Sequence, residues 1–417
     1  MSQPNKRKHA DNDHVNIIQS KKQKYDNNNN NSYNNNLIYH IEVIFEEDYN
    51  VEMDRYEKQI LKFLPFKHFI IRSAKPVEYV LNIKKECKNV RIPHRIYIGL
   101  KDIDYIIRNN ISIKELSIFS VYYGTIFLIF EALAENTSIT RLNIGKNLLS
   151  NQDTILLSNL FIKNKTISHL NIGKNLISNF ISNTAPMTSL FNFQMENASL
   201  TYLDMRNNQI SDQGAISISH WLSKNTSIMY LDLCANFISS NGAYSISNLL
   251  VSNTSLTHLN LESNKIFSNG ATFISKVLVN NTSLMYLNIN ANSISDDGAI
   301  AISNMLLKNT SLKHLFIGHN LISNKGAISI SNALLKNTSL KHLDLGSNNI
   351  SYNGISGISN SLAINTALEH LNISFNLIFD NGATAISNSL INNTSLSDLN
   401  LESVKIGYDG AIAISNL

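Results

Sequence analysis

Cysteine is almost missing from this chain. Only Cys87 and Cys234 occur among its 417 residues, far apart and without C-x-x-C spacing, which argues against a disulfide framework and a cysteine-based zinc site and fits a reducing compartment. Long apolar runs are missing too. No segment approaches the roughly 18 apolar residues that cross a bilayer, and the opening MSQPNKRKHADNDH has no apolar signal core. The chain is therefore expected to be intracellular, cytoplasmic or nuclear, with no membrane partner. No Gly-rich phosphate loop is present, and Ser and Asp recur at positions that a repeat already explains, so neither an enzyme nor a cofactor is expected. Charge of one sign is also scarce. The net charge is +4, but residues 1–108 hold 19 Lys and Arg against 14 Asp and Glu, leaving 16 of the 35 basic and 17 of the 31 acidic residues for the rest. A near-neutral remainder speaks against nucleic acid as a partner.

What is present falls into three segments, and the hydrophobic share of 43% is that of an ordinary folded protein. Residues 1–36 are polar, end in YDNNNNNSYNNN, and bury too little apolar surface to offset chain entropy, so they are expected to be disordered. Arg7 and Lys8, followed by Lys21, Lys22 and Lys24 of KKQK, resemble a bipartite nuclear import signal; a solvated basic tail is the alternative. In residues 37–98 LIYHIEVIF and FKHFIIRS read as strands, and MDRYEKQILKFL places Tyr56, Ile60 and Phe63 at helical spacing. The expectation is a small mixed α/β domain without a readable role.

The third segment repeats. Units begin at Asn136, Asn164, Asn197, Asn225, Asn253, Asn281, Asn309, Asn337, Asn365 and Asn393, 28 residues apart except for one 33-residue step after Asn164. A fixed period of this size means a solenoid. The usual unit reads NTSLxxLxLxxNxISxxGAxxISxxLxx. Its first half alternates as a short half-buried strand does. In its second half Ala299, Ile302 and Leu306 fall at i, i+3 and i+7, one face of a helix. The irregular unit, with ISNFISNTAPMTSLFNFQME at 177–196, is expected to carry a distorted connection on its helical side.

The motif LxxLxLxxNxI followed by a helix resembles the leucine-rich repeat, and the 28-residue unit with GAxxISxxL resembles its ribonuclease-inhibitor-like subtype, as found in NOD-like receptors and Ran GTPase activators. The resemblance implies an α/β horseshoe with parallel strands on the concave face and helices on the convex face. It covers residues 136–417 as ten repeats. NISIKELSI and GLKDIDYIIRNN align with strand and helix halves, so residues 99–135 are expected to be degenerate capping repeats. At the other end Val404 stands where other units have Asn, and the sequence stops inside a helix; an open apolar end would favour self-association, a frayed final repeat being the alternative.

The unit predicts four rows of residues. Asn147, Asn175, Asn208, Asn236, Asn264, Asn292, Asn320, Asn348 and Asn376 fall where the chain leaves the strand, and an amide there can pair backbone groups that a turn would otherwise bury unpaired. This row is read as structural. Residues between the leucines face outward, so the stripe Arg141, His169, Tyr202, Tyr230, His258, Tyr286, His314, His342, His370 and Asp398 is the candidate site for a protein partner. A second row is Asn or Asp throughout, from Asn143 to Asn400, except at Phe316. The third row varies most, through Arg206, Cys234, Glu262 and Asn290, and is where specificity is expected. His314, His342 and His370 are adjacent, but imidazoles in a flat row converge poorly on a metal. The expected function is a non-enzymatic protein-interaction scaffold. The alternative, regulation of a small GTPase in the manner of a Ran GTPase activator, would draw on Arg141 or Arg206 and lacks the acidic tail that the resemblance implies.

Overall fold

The structure, a computed structural model, describes residues 39–45, 66–73, 100–119, 123–149, 151–177 and 198–415. The basic clusters of the N-terminal tail and nearly all of the irregular 177–196 segment lie outside these residues. Among the described residues thirteen parallel strands form one sheet, in the order in which they occur along the chain. Tyr39–Phe45 (β1) and Phe66–Ser73 (β2) match the two expected strands, and β2 pairs with Glu115–Phe119 (β3). Ten three-residue strands follow: Arg141–Asn143 (β4), His169–Asn171 (β5), Tyr202–Asp204 (β6), Tyr230–Asp232 (β7), His258–Asn260 (β8), Tyr286–Asn288 (β9), His314–Phe316 (β10), His342–Asp344 (β11), His370–Asn372 (β12) and Asp398–Asn400 (β13). From β3 onward each strand returns through a helix to the next, except that residues 178–197, between β5 and β6, lie outside the described residues.

The unit's leucines and isoleucines meet between sheet and helices. Leu340, Leu343 and Leu345 are at most 1% exposed, as are Ala299, Ile302 and Leu306 of helix Asp296–Leu306. They belong to one continuous core that runs from Ile103 to Val404. A fully buried Leu or Ile contributes about 1.5–3 kcal/mol, but no single unit can bury its own apolar faces. Stacking on neighbours supplies the cover.

Polar groups are matched between units in the same way. Asp296 accepts hydrogen bonds from the next unit's Ser323 amide (2.8 Å), Ser323 hydroxyl (2.6 Å) and Gly326 amide (2.9 Å). Each helix start needs acceptors for its free N–H groups, and here the preceding helix provides them. Burial pushes the Asp296 carboxyl up, yet the bonds from Ser323 and Gly326 outweigh it and leave its pKa below the ordinary value. Asp212 does the same for Ser239 and Gly242, and Asn324 for Ser351 and Gly354. The Gly of the Gly-Ala pair follows from this closeness. A Cβ on Gly326 would lie 2.7 Å from Asp296 Oδ1 and 2.7 Å from Ile322 Cγ2.

Candidate interaction face

The parallel register sets the outward rows. Arg141, His169, Tyr202, Tyr230, His258, Tyr286, His314, His342, His370 and Asp398 are successive partners across β4 to β13. Glu115 of β3 precedes Arg141 in the same row, a member that the degenerate first unit concealed. The eight rings are half-buried, whereas Arg141 and Asp398 at the ends are exposed. Most neighbouring rings stack on one another: Tyr202 and Tyr230 have centroids 4.2 Å apart at 13°, His342 and His370 5.5 Å apart at 29°. The widest spacing is 6.1 Å, between Tyr286 and His314. Ring faces are occupied where the rings stack, from His169 to Tyr286 and between His342 and His370, whereas the rings of Tyr286, His314, Phe316 and His342 meet at tilts of 34° to 40°.

Burial is the main cause of the stripe's shifted acidities. It lowers His258, helped by the His314 charge, and lowers His169, helped by Arg141 and opposed by Glu115. His314 and His342 are lowered by burial and then by their histidine neighbours. Tyr202, Tyr230 and Tyr286 are raised, again through burial first. These histidines are neutral at pH 7.

The second row closes tight turns. Asp344 Oδ1 accepts from the amide of Gly346 two residues on (2.8 Å), Asp232 from Cys234 (2.9 Å) and Asn260 from Glu262 (3.0 Å). Phe316 cannot do this. Its ring instead packs between Tyr286 (5.0 Å) and His342 (4.6 Å), so the aromatic stripe widens to two rows at β10. The orphaned amide of Gly318 donates to Asn290 Oδ1 of the preceding unit at 2.6 Å.

In the third row Arg206 is committed within the face. Its Nε donates to Asp204 (2.8 Å) and its Nη2 to Asp232 (3.0 Å), two side chains that are only 3% and 1% exposed. Burial works against the Arg206 cation, but the bond to Asp204 and the charge of Asp232 outweigh it and raise its pKa. Burial raises the Asp232 carboxyl as well. Cys234 is pushed up to about 11 by burial and by Glu262 and Asp232. A thiol so raised is no nucleophile at neutral pH.

Two asparagine rows frame this face. Asn348 donates to the carbonyls of Ile317 (3.1 Å) and Leu345 (3.0 Å) while its Oδ1 accepts from Ile322 (3.0 Å). The pattern recurs through the ladder, as at Asn236 and Asn292. A residue with φ between 51° and 63° precedes each of its members, from Lys146 to Phe375; none is glycine, and each donates its amide to the next unit, as His319 does to Gly346 (2.8 Å). The unit-start asparagines form a second ladder. Asn337 donates to Leu306 (2.7 Å) and Asn309 (3.3 Å) and accepts from Ser339 (3.0 Å) and Leu340 (2.8 Å). The asparagine of each N-T-S triplet follows the end of a helix and is also a link between units. The recurrence of Asn at that one position, where Ser or Asp would also cap a turn, was the signal available.

Comparison with known proteins adds the family. The family model described as "Leucine Rich repeat" matches residues 196–219, 252–275, 280–303, 308–331, 336–359, 365–387 and 392–415. No curated protein matches the chain. Among solved structures, an internalin from Listeria monocytogenes is 21% identical over 78% of this chain and 88% of its own, with a TM-score of 0.45. A TLR13–ssRNA13 complex is 17% identical over 82% of this chain and 44% of its own (TM-score 0.45), and leiomodin-1 actin-binding site 2 is 20% identical over 36% and 85% (TM-score 0.31). These likenesses carry no argument about what the chain binds. Strand, turn asparagine and helix recur with the family's spacing through the matched segments, and the chain is a leucine-rich repeat protein.

Proposed function

We propose that the chain is a non-enzymatic scaffold that binds a protein partner across the strand face, with the ring stripe from His169 to His370 at the centre of contact. The continuous row of half-buried rings carries this reading. Tyr and His offer flat contact area and a polar tip at little cost in side-chain entropy, and stacking on neighbours has already ordered them. Regulation of a GTPase finds less support, because Arg206 is occupied by Asp204 and Asp232 and Arg141 alone stays exposed.

The test replaces His314, His342 and His370 together by Gln in the full chain and compares proteins captured from cells with those held by the parent. A control variant carries substitutions on exposed helix positions such as Lys325 and Asn332. The reading predicts partners kept by parent and control and lost by the triple variant, at unchanged melting temperature. Partners kept by the triple variant and lost by the control would move the site to the helical side.

A further inference from the structure

The near-neutral repeat array hides a lopsided strand face. In the three outward rows of β6 to β13 and their turns, Asp204, Asp232, Glu262, Asp344, Asp398 and Glu402 stand against the single cation Arg206. Six against one is a large imbalance. Arg206 is already shared between Asp204 and Asp232. Among the described residues no ion pair reaches Glu262 or Asp344. Lys341, at the near edge of β11, is taken by Glu369 at 2.7 Å.

Asp344 is the most telling of these. It is only 9% exposed and holds three neutral donors: the amide of Gly346 (2.8 Å), Asn372 Nδ2 (2.8 Å) and Asn290 Nδ2 (3.1 Å). Its carboxylate lies against Gly318, where a Cβ would meet both oxygens at 3.0 and 3.1 Å. Hydrogen bonds satisfy the group but do not cancel its charge, and a buried charge is best offset by an opposite one. Immediately beside it, the rings of Phe316, Tyr286 and His342 form the one place where the stripe is two rings wide.

Deepening the proposal of a partner on this face, we infer that the partner presents a basic segment, with a lysine or arginine side chain seated on the Phe316–Tyr286–His342 cluster next to Asp344. Aromatic surface takes the side chain's apolar stem and attracts its cation. Glu262, Asp398 and Glu402 extend the negative field along the strand face and steer the encounter. Nucleic acid is disfavoured because the negative face repels phosphates. The electrostatic influence of Glu262, Asp232 and Asp344 on the Tyr286 phenol agrees with this field.

The full chain is titrated, at low and physiological salt, with three fluorescent probes: an eight-residue Lys/Arg peptide, the same length rich in Glu, and a single-stranded oligonucleotide. The basic peptide is expected to bind, at least tenfold more weakly at the higher salt, with no saturable binding of the other two. Phe316→Asn restores the residue type that the row carries elsewhere and keeps the fold; it should weaken the basic peptide about threefold to thirtyfold. Glu262→Gln with Asp344→Asn should weaken it at least tenfold, and circular dichroism and melting temperature identify variants that stay folded. Unaltered binding in folded variants, or preference for the acidic peptide or the oligonucleotide, would overturn the inference. If capture of cellular partners depends on the stripe while the basic peptide fails to bind, the scaffold reading survives and this one does not.

Discussion

Asn290 reaches across an entire repeat to Asp344. Its Nδ2 lies 3.1 Å from Asp344 Oδ2, 54 residues on, while its Oδ1 takes the Gly318 amide of the unit between. Every other second-row position with a described turn supplies its own acceptor, and only Phe316 does not. The third row, which varies most, has here taken over a duty of the second.

Asn290→Ala should therefore destabilise the array by about 1–3 kcal/mol, the usual cost of leaving buried polar groups unpaired. Phe316→Asn in the same chain supplies a local acceptor for Gly318. The double variant should lose less than Asn290→Ala alone, and a double-mutant cycle by urea unfolding reads the coupling. Additive losses would mean that Gly318 has another partner.

Both ladders should matter, including the one that sequence patterning did not assign a bond. Asn348→Ala and Asn337→Ala each strip a buried amide that serves four or more backbone groups. Each is expected to cost about 3 kcal/mol in denaturant unfolding. Replacement of exposed Asn349, between them and the next unit, should change stability by less than about 0.5 kcal/mol.

Gly326→Ala brings a Cβ within 2.7 Å of Asp296 and Ile322, so a loss of about 1–3 kcal/mol is expected from overpacking. Gly357→Ala sits deeper in a helix with its nearest contact at 3.1 Å, to the Ser331 hydroxyl. There the gain of about 1 kcal/mol in helix propensity offsets the squeeze, and melting temperature should stay close to that of the parent.

Acid should weaken the fold in two stages. His169, His258, His314 and His342 lie below their ordinary value of 6.5 in the folded state, so the unfolded chain binds protons first. Their contribution is complete above pH 6.5 and is lost as pH falls through the lower folded values. Groups facing them set how far: His370 with Asp344, Asp398 and Glu369 for the pair His314 and His342, Arg141 with Glu115 for His169. Asp296, below 3.8 when folded, loses its contribution only as pH falls below that value. Unfolding midpoints measured from pH 8 to 3 should fall below pH 6.5 and again below pH 4, and His342→Gln should flatten the first step alone. The same protonation adds positive charge to the face, so a basic peptide should bind less well as the histidines charge.

Much of this fold was legible in the residues because each unit states its own pattern. Leu340, Leu343 and Leu345 alternate as a strand must, and Ala299, Ile302 and Leu306 recur as a helix must, and each lies buried where that pattern puts it. What was not legible lies between units. The Asp296 cap on Ser323 joins residues 27 apart, the Asn337 link to Leu306 joins residues 31 apart, and neither leaves a local periodicity. The imbalance of charge on the strand face was masked by Lys and Arg elsewhere, since a sum over the chain discards direction. Phe316 was visible as an exception, but its consequence required seeing that Asn290 stands one rung away.

The ladder bonds have a genetic counterpart. Those that do not stay within a unit mostly link residues 26 to 31 apart, one unit to its neighbour, so duplication or deletion of a whole 28-residue block leaves each remaining residue facing an equivalent one. Such changes are the slips that repeated coding sequence undergoes most readily, and the array can lengthen or shorten by them without redesign. The bond from Asn290 to Asp344 does not share this freedom. A block gained or lost between them would separate the pair, and the three units beginning at Asn281, Asn309 and Asn337 must be inherited as one.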